Sequence, residues 1–383
     1  MVRIVLALAA AMLALAAWDV VTYDAKAWRA DFDHLKREMA QRYANLDWIV
    51  SHRQLNLQAL DAETAAAIDN AHSRVFAVLA LRRFIRSFND PHLRLVSADR
   101  SQASRREPAV PATRTDGPAG ASCEDAGYET TDYGFHFGFE RFDGWVPLRA
   151  AHFPTGIAGH AGVVRIAAFG EDQYLAACQA VFRPGIGERA LQLAVRARLQ
   201  QELIDAISEL KGRGVRYLVV DVSGNGGGTE WVTEVVALLT DRVLVRQAAR
   251  LAAPACDRSG LWRGEAVCPI LAPADAPVHL TGVGAWTGAV VVLVDADTGS
   301  AAEDFVAWLQ QNGVAVVAGT RTAGAGCGYV NGGGRITLKE GPFDVMAPNC
   351  ARFLNDGTNE IEGITPNFPA PQSVADLDRY AAR

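Results

Sequence analysis

The sequence predicts an α/β protein: a mostly parallel sheet covered by helices fills the C-terminal half, and a small helical domain precedes it. Two observations carry this. Apolar strands alternate with helical segments after residue 189, and the N-terminal part carries large apolar residues at steps of three and four. Half of the 383 residues are hydrophobic, so the chain can bury a sizeable core. The net charge of −6 and the lack of any long basic run argue against a nucleic-acid footprint.

The elements follow in order. MVRIVLALAAAMLALAAWDV has one arginine, an apolar run and the small-x-small site Ala14-Leu15-Ala16, which predicts a signal peptide over 1–16 and an exported, periplasmic or secreted, chain. That run is short for a membrane span, so no stable membrane insertion is expected after cleavage. From about Trp28 to Trp48 the residues Trp28, Phe32, Leu35, Met39 and Tyr43 mark one helical face, and Phe76, Ala80, Phe84 and Phe88 mark a second. Pro91 in FNDPH ends this helical domain, which spans 17–92. A Pro-, Arg- and Ser-rich stretch over 97–122 has no periodicity and reads as a mobile loop within a β-rich linking region, 93–188. Alternation in YGFHFGFE and GVVRIAAF predicts strands there.

The long helix from about Ala190 to Leu210 leads into the strand VRYLVVDV, the loop SGNGGG, and a helix from Glu230 to about Leu239. AVVVLVDA then leads into a helix beginning near Ser300, and VAVVAG follows as another strand. Six cysteines, an even number without any C-x-x-C, fit an oxidising compartment and no zinc site. Cys256 with Cys268 and Cys327 with Cys350 each bracket a short segment, the latter a hairpin between Gly332 and Pro348. Those couples are expected to pair, and Cys123 then with Cys178.

Four stretches can carry chemistry. In DVSGNGGGTE, Asp221 to Glu230, three glycines between a strand and a helix can turn N–H groups toward an anion, although a flexible connector is the plain alternative. It lacks the lysine of a phosphate loop. In DTGSAAEDF, Ser300 at a strand-to-helix junction is either an N-cap, with Glu303 completing a capping box, or a nucleophile. The residues around it do not fit a G-x-S-x-G elbow. His92 in DPHLRLV is either an exposed loop residue or a base for a serine hydroxyl. Glu360 or Glu362 in NEIEGITPNFP is either solvated or the partner that orients such an imidazole.

In content and chain order these stretches resemble the serine peptidase family that includes the C-terminal processing (tail-specific) peptidases and the tricorn protease core. DVSGNGGG is similar to its D-x-R-x-N-x-G-G loop, DTGSAAEDF to its S-A-x-E turn, AGTRTAGAG to its G-x-x-T-x-G segment, and EIEGITPNF to its E-x-x-G-[IV]-x-P-[DN] ending. The resemblance covers about Val215 to Phe368 and implies a crotonase-like (ClpP-like) α/β spiral as the catalytic domain, 189–383. Where tail-specific members carry a base lysine, in TAGAGCG, this chain has Ala325. The histidine-base branch that resembles the tricorn core is therefore implied: Ser300 as nucleophile, His92 as base and Glu362 as its orienting partner. Ala301 N–H and an N–H of Gly226 or Gly227 would form the oxyanion hole. Ser223 stands where the loop of the family often has arginine.

Too few residues separate GFHFGFE from GVVRIAAF for a PDZ domain. The expected activity is hydrolysis of peptide bonds in peptide or protein substrates, as an endopeptidase or other peptidase, with no cofactor and no metal. The alternative is a binding protein for an apolar ligand or peptide on the same fold, as in the retinoid-binding protein of the interphotoreceptor matrix. An acyl-CoA enzyme of crotonase type gives the serine turn no role.

Overall fold

A computed structural model of the chain describes residues 18–98, 117–253, 257–330, 333–341 and 343–383. The predicted signal peptide, Cys256 and most of the predicted 97–122 loop lie outside the described residues. The chain divides into two compact units, each assembled from three separate segments.

The first unit holds 1–107, 249–273 and 328–351. Helices α1 (Ala25–Arg42), α2 (Leu46–His52), α3 (Leu57–Asp69) and α4 (Arg74–Arg86) surround a core of Trp28, Phe32, Leu35, Met39, Phe84 and Phe88. Asp24 caps α1 by accepting from Lys26 N–H and Ala27 N–H, and Asn56 caps α3. The single helix expected from Trp28 to Trp48 is two. Tyr43 turns extended, Ala44 N–H leaves the helix for Pro348 O at 2.9 Å, and α2 starts afresh behind Asn45. Phe76 also departs from expectation: it is 60% exposed while Ala77, Ala80, Leu81 and Phe84 form the buried face. The strands Arg94–Ser97, Phe343–Ala347 and Gly334–Thr337 form an antiparallel sheet, the last two as the expected hairpin.

The second unit holds 108–248, 274–327 and 352–383. Its six-stranded sheet uses β1 (Val146–Arg149), β2 (Thr155–Ala158), β3 (Ala161–Arg165), β4 (Tyr217–Asp221), β5 (Val290–Val294) and β6 (Ala315–Gly319), side by side in chain order. β1 to β3 run antiparallel and β3 to β6 parallel. β4 and β5 are buried along their whole lengths, which is why VVVLV reads as an unbroken apolar run rather than an alternation. Helices α5 (Glu188–Gly212), α6 (Val232–Leu238) and α7 (Ala301–Gln311) cover the sheet, and Leu199, Leu203, Val235, Phe305 and Leu309 pack in one core with Val220 and Val292. A disulfide joins Cys123 to Cys178, as expected, with Cα atoms 6.0 Å apart. Cys268, Cys327 and Cys350 are disulfide-bonded as well.

YGFHFGFE is not a strand. Only a 3-10 turn, Phe139–Arg141, forms there, and Phe135, Phe137, Phe139 and Trp145 gather into one aromatic cluster, the ring of Phe139 stacked 5.1 Å from that of Trp145. Alternating Phe with other residues imitates a strand period although the rings converge. In GVVRIAAF the ladder stops at Arg165.

Candidate active site

Two strand-to-helix junctions of the second unit make the centre of the site. β4 ends at Asp221, and the chain turns through Ser223 to Gly228 before α6. β5 ends at Val294, and Asp295 to Ser300 lead into α7. The junctions are tied together: Gly224 N–H donates to Asp295 Oδ1 at 2.8 Å, Thr298 Oγ1–H to Val222 O at 3.0 Å, and Gly299 N–H to Asn225 O at 3.0 Å.

Ser300 has φ 56° and ψ −118°. An N-cap residue ordinarily takes β-region angles, so this is no ordinary cap. Positive φ in a residue other than glycine costs energy that the surroundings must offset, and such residues cluster at functional sites. Gly227 lies directly against the serine: a Cβ there would be 2.6 Å from Ser300 Cβ and 2.7 Å from Ala301 N. Asn225 is fully buried and shapes this loop, since its Nδ2–H donates to Ile166 O at 3.0 Å and its Oδ1 accepts Gly227 N–H at 2.9 Å. Neither Gly226 N–H nor Ala301 N–H has an acceptor among the described residues.

The turn is held from below by Glu303, which sequence reasoning saw only as a capping partner. Its fully buried carboxylate accepts from Ser300 N–H at 3.0 Å, Thr322 Oγ1–H at 2.5 Å, and the N–H groups of Gly324, Ala325 and Gly326 at 2.7, 2.9 and 3.0 Å. The segment TAGAG thus wraps an anion, and Ala325, where the sequence offers no lysine, contributes a backbone donor. Arg352 adds a second brace: its Nη2–H groups donate to Ser300 O and Gly326 O, both at 3.0 Å, and its Nε–H to Glu360 Oε2 at 2.7 Å. Arg246 pairs with Asp304 and with the other oxygen of Glu360. Neither arginine was singled out by sequence, because no local pattern announces a buried long-range ion pair.

Glu360 and Glu362 therefore differ. Glu360 is fully buried between two guanidinium groups, whereas Glu362 is half-buried at the end of the same 3-10 turn, its backbone O accepting from Arg321 Nη1–H at 2.8 Å. At Asp221 burial pushes the carboxyl above the usual range, opposed by Arg165 and by the donors of Ser223. Ser223 Oγ–H reaches Asp221 Oδ1 at 2.5 Å, and the guanidinium arrives from the adjacent strand, with Arg165 Nη1 3.6 Å from Oδ1. The register that pairs Arg165 with Asp221 explains how the loop manages without an arginine at 223.

His92 belongs to the first unit. Asp90, buried, accepts from His92 N–H at 2.9 Å and from Tyr43 Oη–H and Asn45 Nδ2–H at 2.9 and 3.0 Å. Burial and then that carboxylate raise the Tyr43 hydroxyl well above its ordinary pKa, so it remains a donor. Tyr329 Oη–H donates to His92 O, its ring meets the imidazole edge-on at 5.3 Å, and Gly328 leaves room for the ring: a Cβ there would lie 2.8 Å from it. Among the described residues no group of three His, Cys, Asp or Glu could hold a metal.

A strained serine at a strand-to-helix turn thus faces a glycine loop in which Gly226 N–H has no acceptor among the described residues. The model of peptidase family S41 matches residues 160–369, more than half of the chain, and the chain belongs to that family of serine peptidases. No curated protein matches it in sequence. Among solved structures it is similar to a protein from Parabacteroides merdae, at 16% identity and TM-score 0.57 over 92% of each chain. It is also similar to mature CPAF, at 14% identity and TM-score 0.59 over 93% of this chain and 94% of that one. At such identities these two likenesses speak for the fold.

Proposed function

We propose that this protein is an exported serine peptidase that cleaves peptide bonds through an acyl-enzyme, with Ser300 as nucleophile, His92 as general base and Glu362 as the carboxylate that orients the imidazole. His92 takes the Ser300 hydroxyl proton as the oxygen attacks the scissile carbonyl. The tetrahedral oxyanion accepts from the N–H groups of Ala301 and Gly226, and His92 then hands its proton to the leaving amine. Water, deprotonated by the same imidazole, releases the acyl group. Of the two glycines first considered, Gly227 already gives its N–H to Asn225 and serves by its lack of a side chain. Glu362 is preferred over Glu360 because both oxygens of Glu360 are taken by arginines.

The observation that carries this reading is the backbone of Ser300, a conformation no cap requires, pressed against Gly227. A fluorophosphonate probe tests it. Wild type should be labelled at Ser300 in the native state only, with a rate that rises through a limb between about pH 6 and 7.5 and disappears in His92→Ala. Labelling without a pH limb, or a limb retained by His92→Ala, removes His92 from the mechanism. An unlabelled native protein points to a binding role on the same fold.

A further inference from the structure

We infer that helix α4 of the first unit, together with the turn that precedes α1, is a docking surface for an anionic lipid bilayer. The buried face of α4 is complete without Val75, Phe76 and Leu79, which stand 62%, 60% and 41% exposed. At about 100° per residue these three fall with Arg82, Arg83 and Arg86 inside roughly a third of the helix circumference. All three arginines are exposed, and the helix carries no acidic residue. One stripe thus runs from apolar at its N-terminal end to basic at its C-terminal end.

The stripe continues onto residues 18–21, which are helical. Trp18, Val20 and Val21 are 60%, 53% and 83% exposed. Arg74, the first residue of α4, joins the two pieces: its guanidinium lies over the Trp18 ring at 5.0 Å and donates to Asp19 Oδ1 at 3.2 Å and Thr22 Oγ1 at 2.6 Å. Asp19, the acid within that segment, is thereby paired with a cation.

Composition and charge commit the surface to a bilayer. Exposed Trp, Phe, Val and Leu flanked by arginine is the composition of an interfacial helix, in which apolar side chains enter the acyl boundary and cations meet headgroup phosphates. Peripheral docking of this kind is compatible with a chain that has no membrane-spanning helix among its described residues.

Co-sedimentation of the full chain with vesicles tests the inference. Wild type should bind vesicles containing phosphatidylglycerol at least tenfold more tightly than phosphatidylcholine vesicles, and the difference should shrink in high salt. The triple variant R82E/R83E/R86E should lose the preference for anionic vesicles. The variant V75S/F76S/L79S should reduce binding to both, with unchanged thermal melts, because these side chains support no core. Binding indifferent to headgroup charge and to both variants would assign it to the N-terminal run instead and overturn the inference. So would a wild-type dimer that V75S/F76S/L79S converts to monomer, since the occupant would then be a second copy.

Discussion

The two strand-to-helix junctions of the second unit solve opposite problems with similar parts. Both leave a buried parallel strand and both place an aspartate at its end, Asp221 and Asp295. The first removes side chains: Gly226, Gly227 and Gly228 leave bare backbone, and a buried amide, Asn225, shapes it. The second forces a side chain outward: Ser300 is bent to positive φ, and a buried carboxylate, Glu303, holds the turn with five donors around it. The difference shows how one end of the sheet can present unpaired N–H groups and a strained hydroxyl together. Donors need an open backbone positioned by a neutral group, whereas a strained hydroxyl needs a charge beneath it, because hydrogen bonds to a carboxylate are the stronger ones.

The sharpest way to break the glycine junction is Gly227→Ala. Its φ of 108° is unfavourable for alanine, and the new methyl would sit 2.6 Å from Ser300 Cβ and 2.8 Å from Gly299 O, so one junction must retreat from the other. The loss expected is about 10²- to 10³-fold in kcat/KM, the scale of an oxyanion donor, with about 1–3 kcal/mol of stability. Gly226→Ala is the contrast, because its Cβ meets nothing within 4 Å and the N–H is retained. It should cost less than about tenfold. Peptidase assays and thermal melts of the two variants decide: equal losses would mean that the close approach at Gly227 has no consequence for chemistry.

The serine junction is broken more gently by Glu303→Gln. The amide keeps the shape, but its NH2 must face N–H donors on one side, either the Ser300, Ala325 and Gly326 group or the Thr322 and Gly324 group. A loss of about 1.5–3 kcal/mol in stability is expected. Because the turn loosens while substrate contacts remain, kcat should fall roughly ten- to a hundredfold with KM nearly constant. A KM effect without a kcat effect would show that Glu303 shapes a binding surface rather than the nucleophile.

How much of this was legible depends on range. The strands of the parallel sheet were readable because Val290–Val294 and Tyr217–Asp221 are buried on both faces and so read as unbroken apolar runs up to the terminal Asp221. The serine and glycine turns were readable because their chemistry is local. Glu303 was half-legible: the capping box is a local pattern, yet four of its five donors are Thr322, Gly324, Ala325 and Gly326, from a segment that folds back from β6. Arg165, Arg246 and Arg352 were invisible for the same reason, since register and packing alone bring them to their carboxylates. Phe76 and the GFHFGFE segment misled in the other direction. Their spacing imitates a buried face and a strand, and the competition was decided by which aromatic rings found partners in the core.

The smallest effect separates the two aspartates. Asp221 is fully buried, its Oδ2 has no partner among the described residues, and burial is the first cause of a raised carboxyl pKa there. A carboxyl whose folded pKa lies above its unfolded value of about 3.9 stabilises the fold below that value, and the contribution is lost as pH rises through the folded pKa. Asp221→Asn removes the titration while its Oδ1 can still accept the Ser223 N–H and Oγ–H. The variant should therefore compare worst with wild type near pH 4 and progressively better toward pH 8. The Tm difference should change by a few degrees across that range, equivalent to about 1 kcal/mol. Asp295 instead accepts Gly224 N–H and Asp297 N–H on a single oxygen, so Asp295→Asn keeps its acceptor and offers a reference for the general cost of the substitution. Thermal melts of both variants between pH 4 and 8 make the comparison. If Asp221→Asn loses ground against wild type as pH rises, the Asp221 carboxylate is stabilised by Arg165 more than burial penalises it, and the glycine junction rests on a charge after all, like its serine counterpart.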